Sequence, residues 1–199
     1  MSKGPDGGDR AALREAEIHA ATVGEPARLD GPVHLAEYHP EWPRLFEREA
    51  ARIRAALGER VVLLEHCGST SVPGLAAKPI IDMVLAVPDS ADEAGYVPAL
   101  EAAGYVLRIR EPAWYEHRVF KGPDTDVNLH VFSGGCPEVD RMLLFRDTLR
   151  ADDAERALYE RRKRALAAQT WRYVQNYADA KSEVVEGIIA RAAQTTKRR

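Results

Sequence analysis

Apolar residues recur along the chain at two spacings, and these spacings predict a series of strands and helices. Phe46, Ala50, Ile53 and Leu57 recur every three to four residues, which predicts a helix that ends at Gly58. Short apolar runs that are bounded by turn-forming residues predict buried strands. The predicted strands cover residues 61–67, 79–87, 105–109, 114–121 and 126–132, and the further predicted helices cover residues 91–103, 138–150, 152–168 and 170–193.

The order of these elements, with strands first and helices last, indicates the fold class. It favours an α+β fold in which a mixed sheet of about five strands packs against helices on one side. The predicted sheet core covers residues 32–133 and a C-terminal helical segment covers 137–194, within a single domain of residues 32–194. Residues 1–31 have no apolar period, so we expect a flexible tail with at most a short helix over residues 11–21.

Composition is that of an ordinary globular protein. Of the 199 residues, 45% are apolar and 30% are charged, which suits one substantial core. The net charge of −3 argues against a general attraction to nucleic acids or anionic membranes. No apolar run reaches membrane-spanning length and the N-terminus lacks a signal-peptide pattern, so we expect a cytoplasmic protein. Cys67 and Cys136 match no metal-ligand spacing and are expected to remain thiols.

The segment between the first two predicted strands carries the most chemical information. Gly68 allows a backbone to approach a ligand closely, and the hydroxyls of Ser69 and Ser71 add hydrogen-bond donors. Lys78 adds a positive charge, and Asp82 on the second strand is placed to hold Mg²⁺ against phosphate oxygens. The segment therefore predicts a phosphate site. A tight turn with an aspartate that caps local backbone is the alternative.

Residues 65–82 resemble the signature of the GrpB family, and further segments of the chain agree with that signature. These segments are residues 38–43, 127–131, 145–150 and 177–181, so that the resemblance extends from about residue 33 to about residue 193. The family is grouped with the nucleotidyltransferase superfamily. The resemblance therefore implies a nucleotidyltransferase-like fold, a nucleoside triphosphate with Mg²⁺ as ligand, and an unidentified small molecule as acceptor.

One position departs from the superfamily pattern. That pattern places Gly and Ser before a spacer, which is followed by two carboxylates that are separated by one apolar residue. The chain matches it with Gly68, Ser69 and Asp82, but Val84 stands at the second carboxylate position. Since two carboxylates normally hold two Mg²⁺ ions, this change favours the alternative of a non-catalytic domain that binds a nucleotide, a metabolite or a partner protein. Glu65 is a candidate for a further metal ligand.

The third acidic position of the superfamily falls on the predicted strand over residues 126–132. Because side chains alternate along a strand, Asp126, Asn128 and His130 share one face. We expect His130 to face Asp82 and to act there as a base, a metal ligand or a hydrogen-bond donor. A structural histidine at a strand end is the alternative.

Five further residues are candidates for nucleotide binding, each with a structural alternative. They are His66, Arg118, Arg146, Tyr177 and Lys181. His66 and Glu65 alternate in facing, so at most one of them lies at the site. Arg146 equally suits an ion pair with Asp147 that docks a helix on the sheet. Tyr177 and Lys181 are four residues apart and share a helix face, which is also the pattern of a plain exposed surface.

The basic run over residues 161–164 resembles an RNA-binding patch. Glu160 and Glu155 nearby instead favour an ordinary solvated helix, which agrees with the net charge. We therefore expect a nucleotide or another small molecule as the partner, with neither nucleic acid nor a membrane, while the sequence leaves the oligomeric state open.

Overall fold

The structure is a computed structural model that describes residues 13–197. Its central element is a five-stranded mixed sheet of order β2-β3-β6-β5-β4, in which β3 and β6 are parallel and the other neighbours are antiparallel. The sheet strands are β2 (Leu63–Cys67), β3 (Ile81–Val87), β4 (Val106–Glu111), β5 (His117–Lys121) and β6 (Val127–Ser133). The helices are α1 (Glu15–Ala21), α2 (Trp42–Leu57), α3 (Val97–Ala102), α4 (Pro137–Ala151), α5 (Asp153–Ala167), α6 (Val174–Asp179) and α7 (Ser182–Lys197). The predicted α+β fold with a mixed sheet and a C-terminal helical segment is confirmed.

The two faces of the sheet are packed by different helices. On one face, Ile81, Met83 and Leu85 of β3 pack with residues of α2 and α3 in the main apolar cluster. On the opposite face, Val84 of β3 and Phe132 of β6 pack against α4. We call these the α2 face and the Asp82 face, because Asp82 alternates with Ile81 and Met83. Helices α2 and α3 therefore cover one face, and α4 of the predicted C-terminal helical segment covers the other.

The N-terminal region contains more structure than the predicted tail. Strand β1 (Arg28–Gly31) pairs antiparallel with β7 (Trp171–Tyr173). The backbone N–H of Val23 donates to the carbonyl of Arg108 at 2.8 Å, and that of Val33 donates to Ala167 at 2.9 Å. These partners are remote in sequence, so no local apolar period reveals them. Residues 1–12 lie outside the described residues.

Two predicted helices are interrupted. The predicted helix over residues 91–103 contains only α3, which has Pro98 in its first turn and follows the single turn Glu93–Gly95. The predicted helix over residues 170–193 begins as β7, because that segment pairs with β1, and it then divides into α6 and α7. No helix within residues 13–197 is long and apolar enough to cross a lipid bilayer.

Candidate functional site

The turn that follows β2 is folded tightly against Asp82. Gly68 has φ of +66°, in the region that disfavours side chains, and a Cβ atom added there would lie 2.8 Å from the Cβ of Asp82. The hydroxyl of Ser71 donates to the carbonyl of Gly68 at 2.6 Å, and Ser69 hydrogen-bonds the hydroxyl of Tyr159 on α5. Gly68 thus permits the close approach, while both serines stabilise the turn and its contact with α5.

Asp82 lies beside an amide of the neighbouring strand. In the parallel register of β3 and β6, Asp82 is opposite Asn128, whose Nδ2 donates to Asp82 Oδ1 at 2.8 Å. His130 is opposite Val84, two residues further along the same face. The prediction that His130 faces Asp82 is therefore wrong. Asn128 occupies the position opposite the carboxylate, and His130 is opposite Val84.

Four lysines lie within electrostatic range of this carboxylate. Burial raises the pKa of Asp82, while Asn128 and the charges of Lys181, Lys121 and Lys78 lower it. Burial and the charge of Lys181 in turn lower the pKa of Lys78. We call Asp82, Asn128 and the four lysines Lys78, Lys121, Lys163 and Lys181 the Asp82 cluster.

Lys163 belongs to the cluster although the sequence placed it on a solvated helix. Its side chain is only 2% exposed, and its ammonium group donates to the carbonyl of Ala76 at 2.6 Å. The ammonium also lies 5.2 Å from the centre of the Tyr159 ring. Burial and then the charge of Lys181 lower the pKa of Lys163 to about 7. The period of α5, with Tyr159 and Leu166 buried on the same side, was the signal that could have found this residue.

Tyr177 and Lys181 lie next to each other, but only Tyr177 is helical, because Lys181 follows the end of α6. The ammonium of Lys181 is 4.6 Å from the centre of the Tyr177 ring. The Tyr177 side chain is 2% exposed, and its hydroxyl is the single buried side-chain N or O atom of the described residues that has no hydrogen-bond partner. Because an unpartnered buried hydroxyl costs free energy, its position beside a cation is consistent with a ligand-binding role.

Arg146 docks α4 on the sheet. Its guanidinium donates to Glu65 Oε2 at 2.8 Å, to the carbonyl of His66 at 2.9 Å and to Asp147 Oδ1 at 2.7 Å. The second of the two interpretations of Arg146, an intramolecular ion pair, is the one the structure supports. Glu65 lies on the Asp82 face but is engaged with this arginine, so it is not placed with Asp82 as a pair of metal ligands.

His66 and Arg118 lie on the α2 face, away from Asp82. His66 stacks on Phe46 with ring centres 4.9 Å apart, and burial lowers its pKa to about 4. Its Nε2 is 3.1 Å from the hydroxyl of Thr70. Arg118 donates to Glu93 Oε1 at 2.6 Å. The sequence prediction that Arg118 meets a phosphate beside Asp82 is corrected, because strand alternation directs it to the opposite face.

His130 belongs to a hydrogen-bonded chain that the sequence did not predict. Its Nδ1 lies 3.0 Å from Nε2 of His117, and His117 Nδ1 lies 2.8 Å from Oε2 of Glu111. His117 is buried and stacks on Phe132 with ring centres 4.5 Å apart. These three polar residues come from β4, β5 and β6, so only the register of the sheet brings them together.

The residues present fit one Mg²⁺ ion only with help from a ligand. Within residues 13–197, no group of three His, Cys, Asp or Glu residues is arranged to hold a metal ion. Val84, at the second carboxylate position, is fully buried in the apolar cluster with Cys67 and Phe132. Mg²⁺ is commonly held by one or two carboxylates together with substrate phosphates. Asp82 supplies one such carboxylate, and substrate phosphates would have to supply further ligands. The arrangement does not fit the two-metal centre.

A cavity of about 350 Å³ adjoins the Asp82 cluster. Lys181 and Tyr159 line it at one side, and Trp114, Tyr115 and Arg141 contribute to its other walls. Its volume lies at the lower end of the range of small-molecule pockets, which is roughly 300–1,000 Å³. The arrangement thus combines a cationic cluster with a partly aromatic cavity.

The chain is similar to proteins of several bacteria. The family described as GrpB protein matches residues 32–191. A UPF0157 protein of Halalkalibacterium halodurans is 61% identical over 179 residues, which cover 90% of this chain and 92% of that protein. A UPF0157 protein of Streptomyces coelicolor is 49% identical over 170 residues, which cover 85% of this chain and 88% of that protein.

A solved structure agrees with the same assignment. The crystal structure of conserved protein GrpB from Enterococcus faecalis matches with a TM-score of 0.72 and 31% identity, and the match covers 82% of this chain and 99% of that chain. Together with the family match over residues 32–191, this similarity confirms the resemblance that the sequence motifs indicated. The chain belongs to the GrpB family.

Proposed function

We propose that the chain binds the phosphate groups of a nucleoside triphosphate at the Asp82 cluster, as a nucleotidyltransferase-like enzyme that acts on a small acceptor. The observation that carries this proposal is the gathering of four lysines around a single carboxylate, next to the unpartnered hydroxyl of Tyr177. Ammonium groups that repel one another are stabilised by a bound anion, and a triphosphate supplies several negative charges.

Each part of the proposed ligand can be assigned to residues of this arrangement. Lys78 and Lys181 would pair with phosphate oxygens, the Tyr177 hydroxyl would donate to another, and Asp82 would hold one Mg²⁺ that neutralises phosphate charge. The adjoining cavity of about 350 Å³, with the rings of Trp114 and Tyr115, accommodates the nucleoside or the acceptor. His130, on the same face of the sheet, is the candidate to accept a proton from the acceptor.

A specific observation favours a second candidate, which is binding without catalysis. Val84 replaces the carboxylate that would hold a second metal ion, and Asn128 is the neutral neighbour of Asp82. The chain is also 32% identical over 160 residues to a dephospho-CoA kinase of Mycolicibacterium paratuberculosis, which covers 67% of this chain and 39% of that protein. Under this alternative the site holds a nucleotide or a coenzyme A-like metabolite and performs no transfer.

Thermal unfolding in the presence of each nucleoside triphosphate, with and without Mg²⁺, tests the proposal. A ligand at 100 times its dissociation constant adds about 2.7 kcal/mol, which raises the Tm of a chain of this size by about 5 to 10 °C. We expect Asp82→Asn to abolish the part of the shift that depends on Mg²⁺. Asp153→Asn serves as the matched control, because that side chain is 89% exposed at the start of α5.

A pyrophosphate-release assay with the same variants, read beside the Tm shifts, separates the two candidates. Release of pyrophosphate in the presence of small hydroxyl or amine compounds, lost in Asp82→Asn, supports transfer. A Mg²⁺-dependent Tm shift without any pyrophosphate release supports binding alone. The absence of a Tm shift with every triphosphate contradicts the proposal in both forms.

A further inference from the structure

We propose that Lys163 is a ligand-binding residue of the Asp82 cluster that takes up a proton from solvent when a polyanion binds. The proton is added to the lone pair of Nζ, so that an amine becomes an ammonium ion beside the bound phosphate. This inference rests on the proposed function, because it requires an anion at the cluster.

The geometry around Lys163 leaves its charge poorly compensated. The side chain is 2% exposed, so water does not stabilise an ammonium ion there. Its Nζ donates to one backbone carbonyl, that of Ala76, and within the described part of the chain it has no carboxylate at ion-pair distance. The Tyr159 ring, at 5.2 Å, is its other electrostatic partner. A buried lysine with these partners lacks the counter-charge that such residues normally have.

The charged groups that face Lys163 come from three elements. Asp82 on β3 favours the ammonium form, while Lys181, in the connection between α6 and α7, disfavours it. On its own helix, Glu160 favours the charged form and Arg164 disfavours it, and Tyr159 contributes its ring. Two of these charges favour the ammonium form and two disfavour it, and burial, the main influence, lowers the pKa of Lys163 to about 7.

The hydroxyl of Tyr177 is the independent indication that a ligand completes this site. It is buried and unpartnered, and the ring that carries it lies 4.6 Å from the ammonium of Lys181. The charge of Lys181 in turn acts on Lys163. A phosphate group at this place accepts from the hydroxyl and from both ammonium ions, so it removes the unpaired donor and the missing counter-charge together.

The pKa of Lys163 determines how many protons the chain takes up when the ligand binds. At pH 8 a lysine with a pKa of about 7 is roughly nine-tenths neutral, so restoring its ordinary pKa on binding takes up about 0.9 proton per site. The terminal phosphate of ATP is already fully ionised at pH 8, because the second pKa of a phosphate monoester is about 6. Proton uptake at this pH therefore comes from the protein.

Calorimetric titration with ATP and Mg²⁺ at pH 8, in two buffers of different ionisation enthalpy, measures this uptake directly. We expect about 0.9 proton per ATP bound by the wild-type chain and close to none by Lys163→Met. Lys121→Met is the matched control, because it removes another lysine of the Asp82 cluster, one whose side chain is 41% exposed. That variant should bind ATP more weakly and keep the proton uptake.

The outcomes are distinct. Binding of ATP by the wild-type chain without proton uptake overturns the inference and leaves the proposed function intact, and so does equal uptake by Lys163→Met. No binding at all overturns both. If Lys163→Met does not fold, a ¹³C NMR titration of the lysine side chains in the wild-type chain decides. One lysine signal should titrate near pH 7 and move to a higher pH with ATP, and the absence of such a signal contradicts the inference.

Discussion

Buried polar groups on the α2 face of the sheet differ from those of the Asp82 cluster on the other face in whether they have partners of opposite charge or hydrogen-bond partners. On the α2 face, buried Glu49 accepts from the hydroxyl of Tyr105 at 2.6 Å and from that of Thr125 at 2.9 Å, and Arg118 is paired with Glu93. On the Asp82 face, lysines repel one another around one carboxylate, and Tyr177 has a hydroxyl without a partner. The polar groups named on the α2 face are paired, whereas the Asp82 cluster on the other face carries more positive than negative charge.

This difference separates stability from function within one sheet. Buried polar groups that are fully paired strengthen a fold, whereas unpaired donors and crowded like charges weaken it. Proteins retain such unfavourable arrangements mainly where a ligand completes them. The comparison therefore predicts that removal of the paired polar groups on the α2 face reduces the free energy of unfolding. Removal of Lys163 or of the Tyr177 hydroxyl on the Asp82 face should cost little or stabilise the chain in the absence of ligand.

The largest effect is expected from Glu49→Ala on the α2 face. Removing a fully buried carboxylate leaves the hydroxyls of Tyr105 and Thr125 without their acceptor, and we expect a loss of about 3 to 5 kcal/mol in the free energy of unfolding. Urea denaturation measures it. Glu47→Ala, at an exposed position of the same helix, should change stability by less than about 0.5 kcal/mol. An equally small change for Glu49→Ala would show that the network contributes nothing.

The next effect is a dependence on pH that comes from His66. Its pKa is about 4 in the folded chain and 6.5 in a model peptide, so between these values the unfolded chain binds more protons. Stability should therefore fall as the pH falls from 6.5 to 4, by up to about 3 kcal/mol. His66→Phe keeps the stack on Phe46 and should flatten this dependence. His34→Gln, at an exposed histidine, should leave it unchanged, and an unchanged slope in His66→Phe would contradict the assignment.

A smaller effect of opposite sign is expected from Lys163→Met on the Asp82 face. The pKa of Lys163 is about 7 when folded and 10.5 in a model peptide, so the unfolded chain again binds more protons between these values. The wild-type chain is thus penalised at pH 7, and the penalty disappears as the pH rises to 10.5. After allowing for the lost hydrogen bond to Ala76, we expect the substitution to stabilise the chain by about 1 to 3 kcal/mol at pH 7. Destabilisation at pH 7 would show that the buried ammonium is well compensated.

The smallest effect on stability is expected from Tyr177→Phe. The hydroxyl that it removes has no partner, so the free energy of unfolding should change by less than about 0.5 kcal/mol or increase slightly. Tyr105→Phe, which removes a hydroxyl bonded to Glu49, should cost about 1 to 3 kcal/mol and is the matched comparison. Equal costs for the two variants would remove the contrast between the faces.

The sequence predicted the fold better than the site. Strand alternation and the apolar runs located all five strands of the sheet, because those signals are local. Pairing between β1 and β7 joins segments that are remote in sequence, so neither strand was predicted. At the candidate site, the Gly68 turn and Asp82 were proposed from a contiguous motif, and Tyr177 with Lys181 from their spacing of four residues. Whether Asn128 or His130 lies beside Asp82 depends on the register of β3 and β6. Spacing within one strand does not determine that register.

Lys163 shows a second limit of the sequence. Within a run of four basic residues, the helical period alone distinguishes the one that turns inward. The run was interpreted by its overall charge, and the burial of one member was missed. The same limit applies to Glu111 and His117, which become neighbours of His130 only when the sheet has formed.

A ¹H–¹⁵N NMR titration of the wild-type chain with ATP and Mg²⁺ tests the central claim most directly, because it reports on both faces of the sheet at once. The account predicts that saturable shifts concentrate on the amides of Gly68–Ser71, on the Asn128 side chain and around Lys163, Tyr177 and Lys181. Amides of α2 and α3 should remain unchanged. No shifts at millimolar ATP, or shifts confined to the α2 face, would contradict it.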